Sequence, residues 1–375
     1  MQREQFDIIR RDLDKKMIFL TGPRQVGKTT LAKSFLSLWP DLQYFNYDSD
    51  EDRHILLKKT WNKKTPLLVF DEIHKYKKWK PWIKGIYDTQ KIPPRLLVTG
   101  SARLDVYRKG GDSLAGRYFL HRLYPLSVRE LKGTAKPFDI LSRLMVLGGF
   151  PEPYLGGSEE EAKRWRKTHL DRIIREDLRD LEAVRDIHSI SLLVELLRQR
   201  VGSTISYSSL AEDLQVSPHT IKKWIQILEN LYVIFSVKPY HKNIARAVLK
   251  EPKIYFYDTG AVIGDDGARL ENAVANCLLK HLHFLEDTKG YDVALHYIRD
   301  KEKREVDFVV VEERKLKYLI EVKLSDSNLH RSLLYYNQKL KPEAAIQLVH
   351  QIEKTQNAEN IAITEAATWL SNLAS

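Results

Sequence analysis

A short apolar strand, Met17-Ile-Phe-Leu20, runs directly into Thr21-Gly-Pro-Arg-Gln-Val-Gly-Lys-Thr-Thr30. The run satisfies the spacing G-x-x-x-x-G-K-[ST] through Gly22, Gly27, Lys28 and Thr29, and a helical pattern, TTLAKSFLSLW, follows at once. No other feature restricts the chain as strongly, because strand, glycine loop and helix in this order make a phosphate cradle of an α/β domain. The glycines let backbone N–H groups curl round phosphate oxygens, Lys28 reaches the β- and γ-oxygens, and the Thr29 hydroxyl is placed to ligate Mg2+. Candidate nucleotide contacts are therefore Gly22, Pro23, Arg24, Gln25, Val26, Gly27, Lys28, Thr29 and Thr30.

The loop needs a second buried strand ending in an acid, and Pro66-Leu-Leu-Val-Phe-Asp-Glu72 supplies it. Asp71 is expected to hold Mg2+ through water, and Glu72 to orient or deprotonate the attacking water. A third apolar strand, Arg95-Leu-Leu-Val-Thr-Gly-Ser101, ends in hydroxyls, with Thr99 and Ser101 the candidates to sense the γ-phosphate. Arg117, behind a glycine in Ser113-Leu-Ala-Gly-Arg117, offers a permanently charged fork for developing phosphoryl charge, or is a surface arginine. The lysine- and aromatic-rich segment HKYKKWKPWIKGIYD could suit nucleic acid, but Trp79, Trp82, Ile83 and Ile86 recur at near-helical spacing. They are expected to face a core while the lysines face water.

At 375 residues two or three domains are expected. The single cysteine, Cys277, forms no internal disulfide, no apolar leader follows the charged opening, and no apolar run reaches the ~20 residues of a membrane span. A soluble, cytoplasmic protein is the expectation. Net charge is +11, drawn from a dense mixture of both signs, which favours polyanionic partners only weakly.

GPRQVGKTTL, LLVFDEIHK, LLVTGSARL, LAGRY and LYPLSVREL, in this order, resemble the AAA+ ATPases of bacteria and archaea that carry a C-terminal domain of unknown function. The resemblance covers most of the chain. Its P-L-S-F-x-E element reads Pro125-Leu-Ser-Val-Arg-Glu130 here, with Val128 in the aromatic position. It implies an AAA+ fold, ATP with Mg2+ as cofactors, and a homo-oligomer, hexameric or another ring, in which Arg117 reaches a neighbour's ATP. It does not imply a substrate.

Beyond a Gly/Pro-rich turn at 148–154, the segment EEEAKRWRKTHLDRIIREDLRDL carries an apolar stripe of Leu170, Ile173, Ile174 and Leu178 and suits a helical lid, with Arg172 or Arg175 as candidate phosphate contacts. From Ser206 the pattern becomes two short helices, a turn and strands. The second helix is capped by Ser217 with Pro218 in its first turn, and Ile221, Trp224, Ile225 and Leu228 obey i, i+3, i+4, i+7. His219, Thr220, Lys222, Lys223 and Gln226 are left largely outward, a winged helix-turn-helix pattern whose exposed face suits a DNA groove or a protein contact.

Near the C-terminal end, Arg304-Glu-Val-Asp-Phe-Val-Val310 and Tyr318-Leu-Ile-Glu-Val-Lys-Leu324 read as paired strands. Asp307, Glu321-x-Lys323 and Glu271 from a preceding helix resemble the PD-(D/E)xK nuclease superfamily, with Val-Asp in place of Pro-Asp. The resemblance implies a second Mg2+ held by Asp307, Glu321 and Glu271, with Lys323 activating water.

The expected architecture is α/β: a P-loop AAA+ core over 1–135, a helical lid over 136–200, a winged helix-turn-helix over 201–245 and a restriction-endonuclease-like α/β domain over 246–375. The expected function is an ATPase that binds and remodels or translocates duplex or branched DNA, its last domain gripping or cutting it. The alternative is a regulatory switch or protein-remodelling ATPase acting on a protein partner. No membrane partner is expected.

Overall fold

The computed structural model describes residues 2–89, 94–100, 114–177, 186–241, 251–325 and 328–373. They form two compact units, Met1–Tyr124 and Pro125–Ser375. The first ends ahead of the boundary expected at 135.

The first unit runs α1 (Phe6–Asp12), β1 (Met17–Thr21), α2 (Lys28–Ser34), β2 (Gln43–Asn46), α3 (Asp50–Lys58), β3 (Leu67–Asp71), α4 (Trp79–Thr89), β4 (Arg95–Thr99) and β5 (Tyr118–Arg122). All five strands are parallel, in the order β2-β3-β4-β1-β5. Helices cover both faces of such a sheet, so its central strands read as unbroken apolar runs; β1 and β3 are buried along their whole length. The order is not the sequence order: β4 lies between β1 and β3, which sets Thr99 beside both Leu20 and Asp71. The lysine- and aromatic-rich segment packs as its spacing predicts. Trp79, Ile83 and Ile86 join the core with Phe19 and Phe70, Trp82 packs against it, and Lys77 and Lys78 are exposed.

In the second unit the chain is helical through α5 (Pro137–Leu147), α6 (Pro151–Gly156), α7 (Glu159–Arg172), a single π turn at Ile173–Asp177, and α8 (Ile187–Arg198). Ile173 and Ile174 are buried as the stripe predicts and Leu170 is half-buried, while Leu178 lies outside the described residues. Two short helices follow, α9 (Tyr207–Asp213) and α10 (Pro218–Asn230), then β6 (Ile234–Pro239), β7 (Lys253–Phe256) and the long α11 (Asp266–Lys289). The rest is β8 (Val293–Arg299), β9 (Glu305–Glu312), β10 (Lys315–Lys323), α12 (Arg331–Leu340), β11 (Ala344–Val349), β12 (Gln356–Ala358), β13 (Ile361–Glu365) and α13 (Ala366–Ser371).

The strands of this unit make one mixed sheet in the order β12-β13-β11-β10-β9-β8-β6-β7. Here the structure departs from the expected division at 245/246. β6 pairs antiparallel with β7 and, at Lys238 and Pro239, parallel with β8. The two strands beyond the helix pair are therefore the edge of the larger sheet rather than a separate wing. α11 turns Leu270, Val274, Cys277 and Leu278 inward. No described helix is long and apolar enough to cross a membrane.

Candidate nucleotide site

The glycine loop leaves β1 at Gly22, whose φ of +137° already disfavours a side chain, and a Cβ there would lie 2.1 Å from the Leu123 carbonyl oxygen. Only glycine lets the loop start so close to that strand end. Gly27, at φ +98°, turns the chain into α2, and Gln25 adopts φ +58° between them. Lys28, a buried residue at 8% exposure, donates from its ammonium to the Gly22 carbonyl at 2.9 Å and the Pro23 carbonyl at 2.6 Å. These are neutral acceptors, and an anionic oxygen forms a stronger, charge-assisted bond with the same donor. Val26 is buried beneath the loop, while Gln25 and Thr30 are exposed and Arg24 is half-buried at its rim. Sequence reasoning missed a brace: the Arg3 guanidinium donates to the carbonyls of Val26 at 2.7 Å and Tyr124 at 2.5 Å.

Asp71, at the end of β3, gathers three hydroxyls. Its Oδ2 accepts from Thr29 Oγ1 at 3.0 Å and from the Tyr44 phenol at 2.5 Å, and its Oδ1 accepts from Thr99 Oγ1 at 2.5 Å. Burial first, then the hydrogen bond to Asp71 and its charge, push the Tyr44 pKa up. Tyr44 was not foreseen, because nothing local in Gln43–Asn46 announces that β2 will lie beside β3. Glu72 follows in a left-handed conformation (φ +56°) that its N–H fixes by donating to the Thr99 carbonyl at 3.0 Å. Burial, then repulsion from Asp71, raises its carboxyl pKa. Its Oε2 is buried without a hydrogen-bond donor among the described residues, 3.5 Å from His74 Nε2 and 3.8 Å from Lys75 Nζ.

The structure brings Lys28, Thr29, Asp71, Glu72 and Thr99 to one end of the sheet; Ser101 lies outside the described residues. Arg117 is elsewhere. Its carbonyl accepts the N–H of Met17, the first residue of β1, so it is level with the opposite end of that strand, roughly 15 Å from the loop at strand spacing. Its guanidinium forks onto Asp88 at 2.7 and 3.1 Å. Nothing in this geometry lets Arg117 serve its own chain's loop.

In the second unit, α10 buries Ile221, Trp224, Ile225 and Leu228, and Ser217 caps it by accepting the Thr220 N–H at 3.1 Å. His219, Lys222, Lys223 and Gln226 are exposed and Thr220 is half-buried, the face expected from the sequence. Of the candidate nuclease residues, Glu271 Oε1 accepts from the Tyr255 hydroxyl at 2.6 Å and Lys253 Nζ at 3.2 Å. Asp307 accepts from the Val322 N–H at 3.0 Å and Lys253 Nζ at 3.3 Å. Glu321 Oε1 takes Lys323 at 2.7 Å and lies 3.1 Å from His330 Nδ1. Burial, then the Asp307 charge, raises the pKa of both Glu271 and Glu321. Among the described residues no group of three or more His, Cys, Asp or Glu is arranged to hold a metal ion. The central contact, Lys253, was not foreseen from the sequence.

Residues 14–132 match the family model described as an AAA domain; residues 139–264 and 266–369 match two models described as domains of unknown function (DUF8612 and DUF4143). An uncharacterised protein of Mycobacterium tuberculosis is 29% identical over 65% of this chain and 54% of its own length, so the chain spans about half of that relative. An uncharacterised protein of Methanocaldococcus jannaschii is 26% identical over 86% of this chain and 80% of its own. Among solved structures, a Walker-type ATPase of Pyrococcus abyssi is similar at 16% identity and a TM-score of 0.41, over 69% of this chain and 93% of that one. By sequence the chain is thus similar to an AAA domain over residues 14–132, followed by two domains of unknown function.

Proposed function

We propose that this chain is a Mg2+-dependent ATPase that assembles with copies of itself, binds duplex or branched DNA, and couples ATP hydrolysis to remodelling or translocating it. The observation that carries the catalytic half is the meeting of the Thr29, Thr99 and Tyr44 hydroxyls on one buried carboxylate, Asp71, at the mouth of the Lys28 loop. Such a carboxylate and hydroxyl pair fits a hard cation with oxygen ligands and retained waters. Thr29 and Asp71 would hold the ion, which when bound draws charge from the phosphoryl oxygens.

Lys28 exchanges the Gly22 and Pro23 carbonyls for β- and γ-phosphate oxygens. Glu72 Oε2 accepts a hydrogen bond from the attacking water and takes its proton, a role suited by a raised pKa because proton affinity then sits nearer working pH. Thr99 reports the γ-phosphate to β4. Arg117 acts on the ATP of a neighbouring protomer, having first released Asp88. The DNA half rests on the exposed His219, Lys222, Lys223 and Gln226 face of α10, beside half-buried Thr220, and on the positive net charge. In this reading the last domain grips DNA rather than cutting it.

The test is ATP turnover by the full chain, with Lys28→Ala as control, alone and with single-stranded, duplex and four-way-junction DNA. Stimulation by one DNA architecture supports a DNA motor and identifies its substrate. A rate indifferent to all three removes DNA from the reading and leaves an ATPase switch directed at a protein partner.

A further inference from the structure

Lys253 opens β7, an edge strand, yet its side chain is 1% exposed. On the alternating pattern of a strand it shares a face with Tyr255, and both reach Glu271. The ammonium has three N–H donors, and three carboxylates surround it: Glu305 Oε1 at 2.7 Å, Glu271 Oε1 at 3.2 Å and Asp307 Oδ1 at 3.3 Å. The Tyr297 ring lies 5.7 Å from the same nitrogen. Glu305 and Asp307 are two apart on β9 and Glu271 comes from α11, so two further elements of the unit meet the β7 lysine at one buried cation.

Glu271 and Asp307 are two of the carboxylates that a metal-dependent nuclease of this pattern would use. Here they face a resident ammonium, and a divalent ion entering beside it would have to compete with it for the same carboxylate oxygens while being repelled by its charge in a low-dielectric site. We propose that Lys253 occupies the place of the metal in this cluster, so that the native domain takes up no divalent cation there and removing the ammonium uncovers a Mg2+ or Mn2+ site on Glu271 and Asp307. The inference stands apart from the DNA reading, since it concerns only what balances these carboxylates.

The experiment is Mn2+ titration of the nucleotide-free full chain, followed by the loss of the free-ion electron paramagnetic resonance signal, in an Asp71→Asn background that disables the nucleotide site. The parent is expected to bind no Mn2+ sensitive to Asp307→Asn. Lys253→Met should gain one bound Mn2+ per chain, lost again in Lys253→Met with Asp307→Asn. Mn2+ bound by the parent and released by Asp307→Asn would overturn the proposal. So would a Lys253→Met protein that melts cooperatively but gains no ion. If Lys253→Met does not fold, the parent compared with Asp307→Asn still decides it: Asp307-dependent binding refutes, none supports.

Discussion

The Pro125-Leu-Ser-Val-Arg-Glu130 element yields a prediction whose size follows from its surroundings. The Glu130 side chain is 1% exposed and the Lys280 side chain on α11 4%; the two form an ion pair, and Lys280 also donates to the Pro125 carbonyl at 3.0 Å. Taking two charges out of water is costly, so the pair as a whole is near balance, but deleting one partner strands the other charge. Glu130→Gln keeps the shape and removes the carboxylate charge that faces the buried ammonium, at a cost of about 3–5 kcal/mol. For a unit of this size a midpoint moves about 2–4 °C per kcal/mol, so thermal unfolding followed by tryptophan fluorescence should fall by roughly 6–20 °C. Lys280→Met should do the same from the other side. The double change Glu130→Leu with Lys280→Met replaces ions by apolar groups and should recover most of the loss, short by about 1 kcal/mol for the donor that Pro125 loses. A Glu130→Gln shift under about 2 °C, or a double variant as unstable as the two singles added together, refutes the reasoning.

Glu72→Gln should leave ATP affinity within a few-fold of the parent while turnover drops by about 10²–10⁴, measured by filter binding and phosphate release; equal losses in both would make Glu72 a binding group. Arg117→Ala and Lys28→Ala should each be inactive, yet a mixture of the two should regain turnover, because a neighbour's Arg117 can complete an intact loop; no recovery would place the arginine outside catalysis. Lys222→Glu with Lys223→Glu should weaken DNA binding and flatten its dependence on log salt by about one unit per lost phosphate contact. The pKa of His281 is held down to about 4, first by burial, then by Arg129 and Lys289. The unfolded chain therefore takes up this proton first as pH falls. The contribution is complete above about pH 6.5 and is lost towards pH 4, at most about 3 kcal/mol, and His281→Gln should remove that slope from urea midpoints measured across the range.

The legible parts of this chain were the ones whose signal is contiguous. Gly22 through Thr30 carries its geometry in its spacing, and Asp71 and Glu72 stand at the end of an apolar run that only a buried strand explains. Ser217, Pro218 and the Ile221, Trp224, Ile225 and Leu228 stripe gave α10 its cap and its buried face. What stayed hidden depends on strand order. Thr99 reaches Asp71 because β4 inserts between β1 and β3, Tyr44 because β2 lies beyond β3, and β6 joins β8 across more than fifty intervening residues. No local pattern encodes these neighbours. Buried lysines are harder still, since a lysine in sequence reads as surface unless its counter-ions are already known.

That difficulty bears on function, because carboxylates were flagged in both units for the same chemistry and the structure balances them differently. Asp71 meets three hydroxyls, so its negative charge is held at the loop mouth by groups that carry none of their own, and Glu72 beside it has Lys75 only at 3.8 Å. A hydroxyl donor can turn its lone pairs to an incoming cation without being expelled. In the second unit Glu130 has Lys280, and Glu271, Glu305 and Asp307 share Lys253. An ammonium has no lone pair to offer and must leave before a metal enters. The chemistry open to a buried carboxylate is therefore set less by its own position than by whether its partners are hydroxyls or cations, and on that criterion the proposed phosphoryl chemistry is assigned to the first unit.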